Sequence, residues 1–307
     1  MRKVVVASYC AALLSLVSGL IRDAAVVAHS ADHARFFEIL YLGGLCSLVA
    51  VNSVMLSATA PGAGSIAGGI LVSMALLLVG WAVSGLGGLA DAAMACSVVA
   101  CWVIGAAAAR AIMAAGRHFL GRMREAAGSL VLATLVALGA SDVPALLAGT
   151  AVSTLAWVAI ARRCPRCPPD PHASPGGGLR MLERVVLSNV GTASMLLWAL
   201  HYNSQASGAW GLESPIVVRA SMYAFQVTAV GWPILSTSAL RVSSRTGILA
   251  SWTLAVCAIA GIASSLAGLA ASSVAMPIAA SLAQYLAIVL MIHRHRGAGG
   301  ESTIEAQ

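Results

Sequence analysis

The sequence predicts an all-α integral membrane protein with about ten transmembrane helices in two bundles, six helices followed by four. Two observations carry this prediction. The chain is 59% hydrophobic and only 9% charged, with a mean hydropathy of +0.89, whereas a typical soluble domain is about 25% charged. Its basic residues are also distributed between the apolar runs so that nearly all of them fall on one side of a membrane. Little chain is left for a soluble domain.

Each predicted span is an apolar run close to the length of about 20 residues that crosses the hydrocarbon core. The fifth run is the shortest of the first bundle. The first bundle comprises the runs 4–29, 36–60, 65–89, 91–116, 126–141 and 143–160. The second bundle comprises the runs 181–203, 215–240, 247–271 and 274–293.

A segment rich in proline and glycine separates the two bundles. It reads RCPRCPPDPHASPGGGLR, and such a composition favours an extended and flexible connection. We therefore predict a first transmembrane bundle in residues 1–162, a cytoplasmic linker in 163–180, a second transmembrane bundle in 181–296 and a disordered cytoplasmic tail in 297–307.

The basic residues predict the orientation of the chain. The chain has 18 Lys and Arg residues, and three of them, Arg22, Arg35 and Arg219, fall at the outer ends of spans. The remaining basic residues flank the chain start, the even-numbered loops and the end of the last span, including Arg2, Lys3, Arg110, Arg117, Arg122, Arg124, Arg162, Arg163, Arg166, Arg180, Arg184, Arg241, Arg245, Arg294 and Arg296. The positive-inside rule places this side, and both termini, in the cytoplasm. An alternative interpretation of residues 1–23 is a cleaved signal peptide, which would leave the rest of the topology unchanged.

The sequence shows no catalytic constellation. Neighbouring residues form no Ser–His–Asp grouping, no carboxylate pair with a base, no phosphate-binding glycine loop and no metal motif. Cys164 and Cys167 with His172 would offer three zinc ligands, whereas a structural zinc site has four. We therefore expect a protein that is not an enzyme, that has no cofactor or metal site, and whose basic excess serves membrane topology instead of nucleic-acid binding.

Polar residues within the spans are the candidate substrate-binding residues. A charge inside a membrane span costs about 3 kcal/mol, so its presence suggests a function. An arginine near the mouth of a cavity can bind phosphate through charge-assisted, bidentate hydrogen bonds. The alternative is that the charges pair with one another or extend to water, and that the amides join helices. The candidate residues are Arg22, Asp23, Glu38, Asn52, Arg219 and Gln226.

The first two spans carry a family resemblance. Residues 15–29 read SLVSGLIRDAAVVAH and residues 31–38 read ADHARFFE. They resemble the opening of the lipid II and O-antigen flippases of the MOP (multidrug/oligosaccharidyl-lipid/polysaccharide) exporter superfamily, which have G-[FL]-x-R-D in the first helix and an A-D-x-F-F-like start of the second. Residues 182–191, LERVVLSNVG, resemble a segment near the start of the second bundle of these flippases, and residues 231–236, GWPILS, resemble the end of their span eight.

The resemblance implies a two-lobed bundle with a central cavity and alternating access, in a bacterial inner membrane. It also implies an undecaprenyl-pyrophosphate-linked glycan as substrate, with its pyrophosphate held by cavity arginines. Arg22 matches the first-helix arginine of the family, and Arg219 matches the arginine of span eight. Besides the lipid bilayer, the implied partners are proteins of envelope-glycan synthesis.

The chain also departs from the family pattern. Leu16 stands where lipid II flippases place a further arginine, and residues 43–46, GGLC, replace a basic stretch in the second span. The family has more spans, so the second lobe is expected to lack its last pair. We therefore expect a lipid-linked saccharide other than lipid II, moved for cell-envelope or exopolysaccharide synthesis.

Two alternatives to a flippase remain open. One is a ten-span exporter of the drug/metabolite type, which has the same size and topology. An inverted five-plus-five repeat would favour it, whereas the six-plus-four division at the linker disfavours it. The other is a non-transporting membrane scaffold subunit, a shortened flippase-like bundle that binds lipid or partner proteins.

Overall fold

The computed structural model describes residues 2–30, 33–56, 62–84, 88–165 and 189–200, together with residues 185 and 279–280. Within these ranges the chain is helical and forms no strand. The chain divides into two compact units, Met1–Gly177 and Gly178–Gln307. The division falls inside the predicted linker.

The described part of the first unit consists of helices in sequence order. They are α1 (Arg2–His29), α2 (His33–Leu56), α3 (Ala63–Ser84), α4 (Leu89–Ala114), α5 (His118–Arg122), α6 (Arg124–Ala137) and α7 (Asp142–Arg162). Among the described residues, 4 stretches are long and apolar enough to cross a membrane: Arg35–Met55, Ala63–Val83, Leu89–Ala114 and Asp142–Arg162. The fold is therefore that of an all-α membrane protein, as the composition predicts.

The second unit is described over one shorter apolar helix, α8 (Asn189–Leu200), which lies within the predicted span 181–203. The predicted spans 215–240, 247–271 and 274–293 fall outside the described residues, apart from the helical pair 279–280. The total of ten spans and the six-plus-four division stay predictions.

The apolar runs of the first unit correspond to helices, but their ends differ. Helix α1, at the predicted span 4–29, and helix α6, at the predicted span 126–141, are not among the 4 described helices that are long and apolar enough to cross a membrane. The third run was expected to continue to residue 89, whereas α3 ends at Ser84 and Leu89 already begins α4. The sequence around this boundary, residues 84–89, reads SGLGGL. Hydropathy does not detect the boundary because glycine is nearly neutral on hydropathy scales, although glycine disfavours helix by about 1 kcal/mol relative to alanine. The fifth run was expected as one span over 126–141, whereas the structure has α6 over Arg124–Ala137, directly preceded by the short α5.

Helix α4 lies at the centre of the first unit. It packs against α2, α3, α5 and α7. Helix α1 packs against α5 and α6, and α6 also packs against α7. At the core, Ile112 of α4 and Trp157 of α7 form a buried cluster with Ala108 and Ala109.

Two glycines end helices in this unit. Gly116 has a φ of 81° and Gly139 a φ of 91°, a backbone region that side-chain-bearing residues rarely adopt. After α4, the N–H of Gly116 donates to the carbonyl of Met113, and the N–H of Arg117 donates to the carbonyl of Ile112. Gly139 closes α6 with the same pair of bonds. This is the Schellman motif, which satisfies the last carbonyls of a helix and reverses the chain.

Helices α6 and α7 approach each other at two further glycines. A Cβ atom added to Gly149 of α7 would lie 2.8 Å from the backbone oxygen of Gly128 and 3.1 Å from the backbone nitrogen of Leu132. Such proximity is possible only without side chains at the crossing, and it is a common way for membrane helices to pack.

Candidate functional site

Arg22 and Asp23 form an ion pair on α1. Both Nε and Nη2 of Arg22 lie 2.7 Å from Oδ1 of Asp23. The side chains are 15% and 7% exposed, respectively. The pair uses the Nε–Nη2 edge of the guanidinium, so Asp23 orients Arg22 and compensates its charge in an apolar environment.

The other described candidate residues lie apart along α2. Glu38 is half-buried near the start of this helix, and Asn52 lies near its end. Their spacing corresponds to about 21 Å along a helix at about 1.5 Å per residue. The Asn52 amide donates to the carbonyl of Leu48 at 2.9 Å, which is a bond within its own helix. These two residues therefore do not hold the same small group, and Arg219 and Gln226 lie outside the described residues.

Arg35 connects two helices at the predicted outer side. Its guanidinium forms an ion pair with Asp91 at the start of α4, and Asp91 also accepts a bond from the N–H of Gly88 at 3.3 Å. On the same side, the hydroxyl of Ser30 donates to Asp142 at the start of α7. These contacts favour the interpretation of Arg35 as an interfacial charge that pairs with a neighbour.

Arg124 is the residue whose location sequence reasoning missed. The sequence placed it in a cytoplasmic loop, whereas its side chain is only 8% exposed and lies inside the bundle. Its Nη1 donates to the backbone oxygen of Trp102 at 3.2 Å, and it fills the space beside Gly105. Both Trp102 and Gly105 belong to the middle of α4. Arg124 is therefore a charge at depth and does not belong to the exposed basic cluster.

The short helices α5 and α6 explain how Arg124 reaches this depth. Together they extend over residues 118–137, which corresponds to about 30 Å of helix, the thickness of the hydrocarbon core. Met123 separates them and caps α6 without a side-chain hydrogen bond. Helical hydrogen bonds continue across Met123, whose N–H donates to the carbonyl of Phe119 and whose carbonyl accepts from the N–H of Ala127, so α5 and α6 form one nearly continuous helical stretch. This stretch is not among the described helices that are long and apolar enough to cross a membrane. A signal was present in the sequence, since the apolar run 126–141 attains span length only when it is extended back through the arginines.

Further polar contacts join α7 to α5 and to α4. The indole N–H of Trp157 donates to the carbonyl of Leu120 in α5 at 2.9 Å. The hydroxyl of Thr154 donates to the carbonyl of Cys101 in α4 at 3.0 Å. Hydrogen bonds of this kind join helices where water is scarce, so α7 connects α5 to α4.

No family model, curated protein or solved structure matches this chain. The resemblance to the MOP flippases therefore rests on the residues quoted above.

The position of Arg124 gives a first testable prediction. A Cβ atom on Gly105 would overlap Nη1 of Arg124 and would lie 2.9 Å from its Cδ, so Gly105→Ala must displace the buried side chain. We expect a loss of about 1–3 kcal/mol of unfolding free energy, the usual cost of overpacking. Thermal unfolding of the detergent-solubilised protein measures it, with Gly64→Ala as control because nothing lies within 4 Å of a Cβ there. Equal melting temperatures for the two variants would contradict the packing of Arg124 against α4.

Proposed function

We propose that the protein is a flippase-type membrane transporter that translocates a lipid-linked saccharide for cell-envelope or exopolysaccharide synthesis. The observation that supports this proposal most is the largely buried Arg22, which Asp23 orients within α1 at 2.7 Å. The resemblance assigns this position to a phosphate-binding arginine of the first helix. A preoriented guanidinium suits a phosphate group because its planar fork matches two phosphate oxygens.

The Arg22–Asp23 pair carries no net charge, so it binds an anion weakly without a second cation. Arg219 is the residue that the resemblance supplies for this role. In the proposal, the pyrophosphate of the lipid-linked saccharide binds to Arg22. Charge-assisted hydrogen bonds to the pyrophosphate favour binding of the substrate. A conformational change that opens the site to the outer side then releases the glycan there.

The second candidate function is a non-transporting scaffold subunit. Two observations favour it: Asp23 already neutralises Arg22, and the Asn52 amide is engaged by its own helix. Under this alternative the polar groups stabilise the bundle, and a partner protein carries out the transport.

A flipping assay distinguishes the two functions. The full chain is reconstituted into liposomes that contain a short-chain polyprenyl-pyrophosphate saccharide with a fluorophore on the sugar. A membrane-impermeant reductant bleaches the outer leaflet, so flipping makes the inner pool accessible. We expect bleaching beyond the outer-leaflet half in vesicles with protein, and none beyond it in protein-free vesicles or with a labelled phosphatidylcholine. Folded protein with no excess bleaching would favour the scaffold.

The predicted topology is tested separately. The test uses a chain whose 7 native cysteines are replaced by serine or alanine and to which one cysteine is added after Gln307. This cysteine is expected to react with a membrane-impermeant maleimide only after the cells are permeabilised, because the basic clusters predict a cytoplasmic C-terminus. Ala31→Cys in the predicted outer loop serves as the control that reacts in intact cells. Reaction of the C-terminal cysteine in intact cells would contradict the proposed orientation.

A further inference from the structure

Helices α4 and α7 begin at the same end of the first unit, and both carry a carboxylate there. The two helices pack against each other, and each has an aspartate in its first turn, Asp91 in α4 and Asp142 in α7. The connection between α1 and α2 contacts both carboxylates, since Ser30 donates to Asp142 and Arg35 pairs with Asp91. The two helices therefore run in the same direction, away from this carboxylate end.

Three exposed arginines lie at the opposite end of the same two helices. Arg162 is the last residue of α7 and Arg163 is its C-cap, while Arg117 follows α4 and donates its backbone N–H to the carbonyl of Ile112. Cys164 packs against the buried cluster that contains Ile112, so the two helix ends meet there. The three arginines are exposed, and their side chains form no hydrogen bond or ion pair with a described residue. We call them the arginine surface.

Little negative charge offsets the arginine surface within the described part of the chain. Glu125, near the start of α6, is the one exposed carboxylate in this half of the described first unit, and it lies 3.7 Å from Nη2 of the buried Arg124. The remaining described acidic residues lie toward the carboxylate end: Asp23, Glu38, Asp91 and Asp142. An exposed guanidinium that has no carboxylate partner keeps its five N–H donors for an external anion.

The length of α4 places the arginine surface at the level of lipid headgroups. Helix α4 has 26 residues, which corresponds to about 39 Å at about 1.5 Å per residue. A bilayer is about 30 Å thick in its hydrocarbon core and about 40–45 Å thick with its headgroup regions. The carboxylates and the arginines therefore fall in opposite headgroup layers. Phe119, two residues after Arg117, is 42% exposed, and an exposed aromatic ring beside basic residues suits the boundary between headgroups and acyl chains.

We propose that the arginine surface binds the phosphate groups of anionic phospholipids in the leaflet around it, which is the predicted cytoplasmic one. Basic residues at the end of a membrane helix attract anionic headgroups, and guanidinium–phosphate hydrogen bonds are charge-assisted. Separate arginines bind separate headgroups, so the guanidinium groups share a depth in the membrane and do not converge on one phosphate. Zwitterionic lipids bind more weakly because their ammonium group cancels the phosphate charge. This lipid selection holds whether or not the protein transports a glycan.

Lipid retention by the purified full chain tests the proposal. The protein in detergent is titrated with phosphatidylglycerol and, separately, with phosphatidylcholine, and bound lipids are counted by native mass spectrometry. We expect the wild-type protein to bind phosphatidylglycerol about fivefold more tightly for each headgroup, the contribution of one arginine near an anionic headgroup. The triple variant Arg117→Gln, Arg162→Gln and Arg163→Gln is expected to bind the two lipids equally.

Two control variants separate the arginine surface from net charge and from folding. Replacement of the same three arginines by lysine keeps the charge and is expected to retain the preference for phosphatidylglycerol. Arg35→Gln removes an arginine at the carboxylate end and is expected to leave the preference unchanged. Melting temperatures verify that each variant is folded, and the three single glutamine variants, each expected to lose part of the preference, replace the triple variant if it does not fold.

Three outcomes would overturn the proposal. Equal retention of the two lipids by the folded wild-type protein would show that the arginine surface selects no headgroup. A loss of preference in Arg35→Gln as large as in Arg117→Gln would indicate net charge alone. Displacement of phosphatidylglycerol by an equal concentration of inorganic phosphate would assign the surface to a free anion instead of a lipid.

Discussion

Gly149→Ala is expected to cost about 2–3 kcal/mol of unfolding free energy, near the upper part of the overpacking range. The added methyl group would lie 2.8 Å from the carbonyl oxygen of Gly128 and 3.1 Å from the backbone nitrogen of Leu132. Both are backbone atoms, which cannot rotate away as the end of a side chain can. Helices α6 and α7 must therefore separate, and Thr150 and Ser153, which are buried beside the crossing, would become more hydrated.

Thermal unfolding in detergent, followed by the fraction of folded protein that remains on size-exclusion chromatography, measures this loss. Gly68→Ala in α3 is the control, because nothing lies within 4 Å of a Cβ atom there. It is expected to leave stability unchanged or to raise it slightly, since alanine favours helix over glycine by about 1 kcal/mol. A melting temperature for Gly149→Ala equal to that of Gly68→Ala would show that the two helices do not meet at these glycines.

Helices α2, α3, α4 and α7 could be predicted because each satisfies one simple requirement. Backbone groups in a membrane must bond within their own helix, so an apolar run of sufficient length becomes a helix. The end of α4 also has a local cause in Gly116, whose φ of 81° suits glycine. Hydropathy alone does not predict the boundary between α3 and α4, because Leu89 is apolar and continues the preceding run, although it begins α4.

The environment of Arg124 could not be predicted because it depends on tertiary packing. In the linear sequence, Arg124 precedes the predicted span 126–141 and therefore resembles a loop charge. Its burial follows from the absence of a side chain at Gly105 in another helix and from the carbonyl oxygen of Trp102, which accepts a hydrogen bond from its guanidinium. Conversely, Arg22 and Asp23 are adjacent in sequence, so their proximity was foreseeable, but only the structure shows that they are bonded to each other at 2.7 Å and largely buried.

Arg22→Ala is expected to reduce glycan export at least tenfold. A tenfold loss corresponds to about 1.4 kcal/mol of binding free energy, which is the smallest effect expected when one charge-assisted hydrogen bond to phosphate is lost. The substitution also leaves Asp23, 7% exposed on its side chain, as an uncompensated buried carboxylate. Removing one partner of such a pair costs about 3–5 kcal/mol of stability, so a loss of export alone is ambiguous. Arg22→Lys separates the two effects, because lysine retains the positive charge beside Asp23 but lacks the planar fork for phosphate.

Export is therefore measured at matched protein levels for Arg22→Ala, Arg22→Lys and the double variant Arg22→Ala with Asp23→Asn. If Arg22 binds phosphate, all three are impaired, although the double variant recovers the stability that the single alanine variant loses. Arg35→Lys is the matched control, since its guanidinium pairs with Asp91 at the predicted outer side, and it is expected to export normally. Export restored by the double variant or retained by Arg22→Lys would assign Arg22 to the ion pair alone. Normal export by Arg22→Ala would remove the phosphate role, and with it the main support for a lipid-linked substrate.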